Sequence, residues 1–281
     1  MELHDVGLAC DLEVMERQAL ERRRLMRWVL AGAAGLPLIS CGGSGSGSTA
    51  TETATGTATT PTTITTACAV IPDETGGPYP ADGSNTNGGS IINVLNQSGV
   101  VRSDIRASFN GATGVAAGVP LTIRLQLVNA NASCASLAGY AIYLWHCDRD
   151  GLYSLYSNGV TAQNYLRGVQ ETDSSGTLSF TTIFPGCYAG RMPHVHFEVY
   201  PSLAKAAAAS KRIKTSQFTF PLATLNEVYT ASGYTASVRN LAQISYATDN
   251  VFSDGTSLQM AGVTGNATDG YVVTLTIGVN G

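Results

Sequence analysis

Residues 185–200 read PGCYAGRMPHVHFEVY, and the way this stretch is read decides the fold. Its second half, HVHFEVY, alternates β-branched and aromatic residues with polar ones over a short run, the pattern of a strand. On a strand, residues i and i+2 point to the same face about 6.5–7 Å apart. His194 and His196 can therefore aim two imidazoles at one point, given slight curvature, and neutral imidazole is the commonest metal-binding side chain. Glu198 extends the row to H-x-H-x-E. On a straight strand it sits about 13–14 Å from His194, too far for all three to meet at one ion. An isolated H-x-H is more often a polar pair on a half-buried strand than a metal site, so its neighbours must decide.

Working outward, the same texture recurs. VPLTIRLQLVN, YAIYLWHC, GTLSFTTIF and YVVTLTIGV are short runs rich in β-branched and aromatic residues, separated by Gly, Asn, Asp and Ser clusters. This is the signature of an all-β domain, an antiparallel β-sandwich or barrel. TDSSGTLSF reads as a turn entering a strand. The one clear helical candidate is SLAKAAAASKR, residues 202–212, rich in strong helix formers. No repeat of 20–50 residues is visible. The reading is one antiparallel β-sandwich domain over residues 67–281, with a short helix and long loops.

The N-terminal part reads differently. ERRRLMRWVLAGAAGLPLISC sets an arginine cluster before a short apolar run and small residues, a signal-peptide pattern. Arg22–Arg23 resembles a twin-arginine signal, and LISC ending at Cys41 resembles a lipobox whose cysteine is acylated. Residues 42–66, GGSGSGSTATETATGTATTPTTITT, are a Gly/Ser/Thr/Ala tether that cannot bury enough apolar surface to offset its ordering entropy. As a flexible coil it spans roughly 25–30 Å. The expectation is a signal segment 1–41, a disordered linker 42–66, and a cell-envelope lipoprotein held to a lipid membrane through Cys41. A net charge of −4 with 13% charged residues provides no polycationic surface, so no nucleic-acid partner is expected.

Beyond Cys41 the cysteines are Cys68, Cys134, Cys147 and Cys187. Export to an oxidising compartment makes an even number readable as up to two disulfides, and four cysteines allow three pairings. No C-x-x-C pair favours a thiolate metal site. With His4 in the signal segment, the remaining histidines lie between positions 146 and 196.

Two neighbours lift the H-x-H above its bland reading. PGCY ends in Tyr188 just upstream, with Arg191 between it and the histidines, and WHCDRDGLYS carries a strand end into a turn that delivers Tyr153. Tyr-x5-His-x-His with an upstream W-x7-Y is a specific grouping. Together WHCDRDGLYS, YLRGVQETDSSGTLSFTTIFPGCYAGRMPHVHFEV and the more distant ETGGPYP resemble the intradiol ring-cleavage dioxygenases, the family of catechol, hydroxyquinol and protocatechuate enzymes. The likeness runs over most of residues 68–220.

The resemblance implies a β-sandwich core holding one mononuclear Fe(III) per chain through Tyr153, Tyr188, His194 and His196. Arg191 matches the family's active-site arginine. Gln217, in KTSQFTF, matches a glutamine beside the site, in a looser alignment. Gly77, Pro78 and Tyr79 match a segment near the substrate mouth. The implied partners are a small aromatic diol and O2, and the implied reaction opens the ring between the two hydroxyl-bearing carbons to give a muconate-type diacid. In it Tyr188 leaves the metal and accepts a proton, Tyr153 stays bound, and Arg191 stabilises anionic character on the ring. The residue types suit the chemistry, because phenolate is a hard anionic donor that a bound ferric ion can deprotonate. A cupin-like Fe(II) or Mn(II) oxygenase would need a distant third histidine, and none follows His196. A non-catalytic cell-surface sandwich that binds a ligand and retains the metal site is the alternative. His146 and Trp145 read as structural residues.

Overall fold

The computed structural model describes residues 68–281. The expected signal segment with Arg22, Arg23 and Cys41, and the tether 42–66, lie outside the described residues.

The alternating runs become strands. A hairpin pairs β1 (Asp82–Asn87) with β2 (Ser90–Asn93). The larger sheet contains β3 (Pro120–Asn129), β4 (Ala135–Ser136), β7 (Thr177–Ile183), β10 (Gly262–Asn266) and β11 (Gly270–Val279), with β3 central. The smaller sheet runs β6–β5–β8–β9, formed by Arg167–Glu171, Ala141–Trp145, His194–Tyr200 and Lys214–Thr219. All named pairings are antiparallel except β11 with β3, which is parallel. That corrects the expectation of a wholly antiparallel arrangement. Here β11 reaches the sheet after the helices and a long excursion, and such a connection can return in the same direction as its neighbour.

One apolar cluster is shared by both sheets. Leu121, Ile123, Leu125 and Leu127 from β3, with Phe180, Val273 and Ile277, meet Ile142, Leu144, Val195, Phe197, Val199 and Phe218 from the smaller sheet. In β3 these leucines and isoleucine alternate with more exposed residues, so one face is core and the other faces outward. β8 differs, for every one of its residues is buried. Its Val195, Phe197 and Val199 face the shared core, while Tyr200 joins a second cluster with Tyr143, Trp145 and Tyr153. The face carrying His194 and His196 is therefore also covered.

The helix expected over 202–212 is corrected. That segment holds two single 3-10 turns, Leu203–Lys205 and Ala209–Lys211, neither of which buries a residue. Alanine propensity cannot sustain a helix with no apolar stripe to dock. The helices are instead α1 (Leu222–Val228) and α2 (Thr235–Leu241), which bury Leu225, Val228 and Leu241 in the shared core. Tertiary packing outweighed propensity at both places.

The cysteines divide. Cys68 and Cys134 form a disulfide, with their Cα atoms 5.2 Å apart. Cys147 and Cys187 are buried free thiols, so of the up to two bridges the sequence allowed, one forms. Each thiol has its own acceptor, Cys147 donating to the Gly186 carbonyl at 3.5 Å and Cys187 to that of Arg191 at 3.5 Å. Burial pushes both thiols above their ordinary range, Cys187 to about 12, so neither is an available thiolate.

Candidate metal centre

The first two residues of the site are placed by sheet register. β8 starts at His194, and His196 pairs across the sheet with Trp145 on one side and Gln217 on the other. The indole of Trp145 stacks on the imidazole of His196 at 4.9 Å between ring centres and 3° between planes. His194 is fixed by its other nitrogen, Nδ1–H donating to the Met192 carbonyl at 2.6 Å. A carbonyl can only accept, so the proton sits on Nδ1 and Nε2 presents a bare lone pair.

Tyr153 arrives on the loop after β5. Asp148 nucleates its turn, with Oδ1 accepting from the backbone N–H of Asp150 and Leu152 at 3.0 and 2.9 Å. Tyr165 anchors the other carboxylate oxygen at 3.0 Å. Next to Tyr153, the buried Arg167 donates to Ser154 Oγ and the Ser154 carbonyl, and also to the Pro80 carbonyl. One guanidinium thus ties the Tyr153 loop to the segment that carries Tyr79. Tyr188 comes from the β7–β8 loop. The turn at Gly151 passes so close that a Cβ there would lie 2.9 Å from Tyr188 Cβ, and Gly151 has a φ of +83°, a region favouring glycine.

The four donor atoms converge. His194 Nε2 lies 3.3 Å from Tyr153 Oη, 3.3 Å from Tyr188 Oη and 3.0 Å from His196 Nε2. A single lone pair cannot serve three neighbours as an ordinary hydrogen-bond acceptor. Donors about 2.0–2.1 Å from a shared ion stand roughly 3.0–3.5 Å from one another, so these separations suit a common cation. Among the described residues no group of three or more His, Cys, Asp or Glu gathers for a metal. The mixed set of two phenols and two imidazoles is the one that fits, and its hard oxygen donors favour a hard, highly charged ion.

The electrostatics agree. Burial, then the positive charge of Arg191, holds His194 well below the usual imidazole range, and burial, then His194, does the same to His196. Both are therefore neutral and able to ligate. Burial, reinforced by Tyr188, pushes the Tyr153 phenol well above its ordinary value. It becomes a phenolate only with a strong cation beside it.

Arg191 is buried. Its Nε donates to Asp249 Oδ2 at 3.0 Å and Nη2 to Gln217 Oε1 at 2.8 Å. Gln217 is oriented in turn by donating Nε2 to the Thr75 carbonyl at 2.7 Å. Desolvation alone would depress the guanidinium, but Tyr188 and Asp249 outweigh it and leave its pKa raised. The Tyr79 ring packs against Tyr153 at 4.9 Å between ring centres, tilted by 35°. Gly77 adopts a φ of +65° with its N–H bound to Thr75 Oγ1, and the Pro78 carbonyl accepts from the Asn85 amide.

A family model described as Dioxygenase matches residues 100–212, which include Tyr153, Tyr188, Arg191, His194 and His196. Among solved structures, an intradiol ring-cleavage dioxygenase from Tetranychus urticae is similar at 23% identity, covering 76% of this chain and 95% of its own, with a TM-score of 0.57. The fold is that of the intradiol ring-cleavage dioxygenases. More distant are the dioxygenase domain of a carbohydrate-binding fusion from Streptomyces sp. SirexAA-E and a chlorocatechol 1,2-dioxygenase from Pseudomonas putida. The first is 22% identical over 75% of this chain and 99% of its own, with a TM-score of 0.47. The second is 22% identical over 64% and 66%, with a TM-score of 0.41. No curated protein matches the chain by sequence.

Against that intradiol framework, the structure brings Tyr153, Tyr188, His194 and His196 together and sets Arg191 and Gln217 beside each other. His146 stays apart from the donors, with Nδ1 donating to the Cys147 carbonyl and Nε2 accepting from Thr182, both at 2.7 Å. Glu198 instead accepts from the Tyr200 hydroxyl at 2.7 Å. The reading of the sequence missed Asp249, Thr75 and Met192. No motif marks Asp249 in ATDN, because a loop aspartate becomes meaningful only when the fold sets a buried arginine beside it.

Proposed function

We propose that this domain is an Fe(III)-dependent intradiol dioxygenase that opens the ring of a small catechol-type diol between its hydroxyl-bearing carbons, with O2 as co-substrate. The observation that carries the reading is the convergence of Tyr153 Oη, Tyr188 Oη and His196 Nε2 within 3.0–3.3 Å of His194 Nε2, beside a buried arginine. Those four side chains would hold one iron per chain. When bound, ferric iron supplies electron withdrawal from a chelated diol, readying the ring for oxygen.

The chain's own residues supply the rest. Tyr153 is buried and packed between Tyr79 and Tyr188, so it is held as a permanent donor. Tyr188 is half-buried, and its Oη can accept a proton from a substrate hydroxyl. The raised charge stability of Arg191 keeps a fixed cation next to developing negative charge. Gly77, Pro78 and Tyr79 line the approach to Tyr153 on this reading and contact the substrate ring. The two sheets, which share one apolar cluster, serve as the layers of a β-sandwich. The same reading makes the protein a cell-envelope lipoprotein exported by the 1–41 segment, acylated at Cys41 and lifted from the membrane by the 42–66 tether.

The test is the visible spectrum and metal content of the purified domain, before and after addition of catechol. A tyrosinate-to-Fe(III) charge-transfer band that shifts with catechol, followed by O2 uptake and muconate formation, is the expected result. A protein that stays colourless after Fe(III) loading would refute iron ligation by the tyrosines.

A further inference from the structure

We infer that Asp249 is the residue that positions Arg191. The inference rests on the ring-cleavage reading of this site for its kinetic consequence, though not for its structural one. Asp249 is fully buried, and Arg191 is nearly so. A cation held in that environment needs a counter-charge, since an unpaired buried ion is strongly destabilising. Among the described residues the only carboxylate in salt-bridge contact with Arg191 is Asp249, at 3.0 Å.

The carboxylate does more than neutralise. Its Oδ2 accepts from Arg191 Nε at 3.0 Å and from the Met192 backbone N–H at 2.7 Å. Its Oδ1 accepts from the N–H groups of Val251 and Phe252 at 2.8 and 3.0 Å. Four donors on one buried carboxylate leave it no freedom to rotate. Its contact with the Met192 N–H also reaches the residue whose carbonyl, on the following peptide unit, accepts the His194 Nδ1 proton at 2.6 Å. Asp249 thereby holds a buried cation in one orientation.

The guanidinium is consequently clamped at two points. Nε is held by Asp249 and Nη2 by Gln217, whose own amide is oriented by the Thr75 carbonyl. Nη1 donates to no group among the described residues. Its two N–H groups, with the second N–H of Nη2, are the donors of Arg191 left for a substrate anion. Asp249 acts through Arg191 and touches no reacting atom, so it is a positioning residue.

The test uses Asp249→Asn, which keeps size but loses charge and replaces one acceptor oxygen with an N–H2 that opposes the existing donors. The first readout is independent of turnover. In the metal-free domain the Arg191 Nε–H should exchange slowly with solvent by nitrogen-15 NMR, and at least about tenfold faster in D249N, as expected when a buried hydrogen bond is lost. The second is kinetic, with the iron content and visible band retained, kcat for catechol lowered on the order of 100-fold by misplacement of the cation, and KM changed by less than about threefold. The third is a double-variant comparison: in an Arg191→Met background, D249N should lower kcat no further. A rapidly exchanging Arg191 Nε–H in the unmodified domain would overturn the inference, whether or not D249N folds. So would unchanged kcat in D249N, or an equal additional loss in the Arg191→Met background. If the unmodified iron-loaded domain turns over no diol, the proposed function fails while the exchange measurement still decides the role of Asp249.

Discussion

Replacing Gly151 with alanine tests how the Tyr188 side of the site is built. Gly151 has a φ of +83°, and a Cβ added there would lie 2.9 Å from Tyr188 Cβ and 3.4 Å from Tyr188 Cα. The left-handed conformation alone costs an alanine about 1–2 kcal/mol. The overlap adds about 1–3 kcal/mol, because its target is the root of the Tyr188 side chain and cannot swing aside. Gly159 is the internal control, with a φ of +85° but nothing within 4 Å of an added Cβ. Gly159→Ala therefore carries the conformational cost alone. For a domain of this size each kcal/mol shifts Tm by about 2–4 °C, so Gly151→Ala should melt several degrees below Gly159→Ala. The overlap also pushes Tyr188 off its place, so Gly151→Ala should weaken or shift the tyrosinate band of the iron-loaded protein. Gly159→Ala should leave that band unchanged. Equal melting of the two variants, with identical spectra, would refute the close packing of this turn against Tyr188.

Tyr153→Phe should lose iron or its colour, whereas Arg191→Ala should bind iron, melt earlier because Asp249 is left buried and unpaired, and lose turnover by about 10²–10³-fold; full activity in Arg191→Ala would exclude the role assigned to it. Burial lowers the His146 pKa to about 4 from an ordinary 6.5. The folded protein thus resists a proton that the unfolded chain accepts, so this residue's contribution is intact above pH 6.5 and lost as pH falls towards 4, about 3 kcal/mol in all. Since His194 and His196 shift in the same direction, the check is a difference: His146→Gln should have a flatter stability profile than the unmodified domain over that window. Thiol titration of the 68–281 domain should find two reactive groups only after denaturation, and reducing the Cys68–Cys134 bridge, 66 residues apart, should cost about 4 kcal/mol by closing-entropy arithmetic.

The parts of this protein that were legible in its sequence are those whose physics is local. The alternation in HVHFEVY marked a strand and set two imidazoles on one face, because side-chain period on a strand is fixed at two. Tyr153 was legible as the end of a turn, since Asp148 supplies the acceptor that folds DRDGLY onto itself. The misread segment 202–212 failed for the opposite reason. Its alanines favour a helix, yet neither short turn buries a residue of its own and only the adjoining Ala206 reaches an apolar cluster, which only the assembled fold reveals. The disulfide pairing stayed open in the sequence, because proximity of Cys68 to Cys134 is a property of the fold and not of spacing. Asp249 was invisible because its meaning depends on Arg191, 58 residues away.

The division of the site between strand and loops has a chemical consequence. His194 and His196 stand at the start of a strand buried on both faces, with Trp145 and Gln217 on either side of His196 in the sheet. Moving either imidazole would mean breaking ladder hydrogen bonds and opening two packed layers, so these donors are fixed. Tyr153 is nearly as constrained, since Arg167 and Ser157 hold the backbone beside it and its ring is buried. Tyr188 alone of the four is half-buried and comes from a loop whose following residues, Ala189 and Gly190, are exposed. On the proposed reading, a diol chelating through two oxygens would need one protein donor to give way. Tyr188 is the one whose departure would disturb the least packing, and the charge of Arg191 lies within electrostatic reach of its phenol.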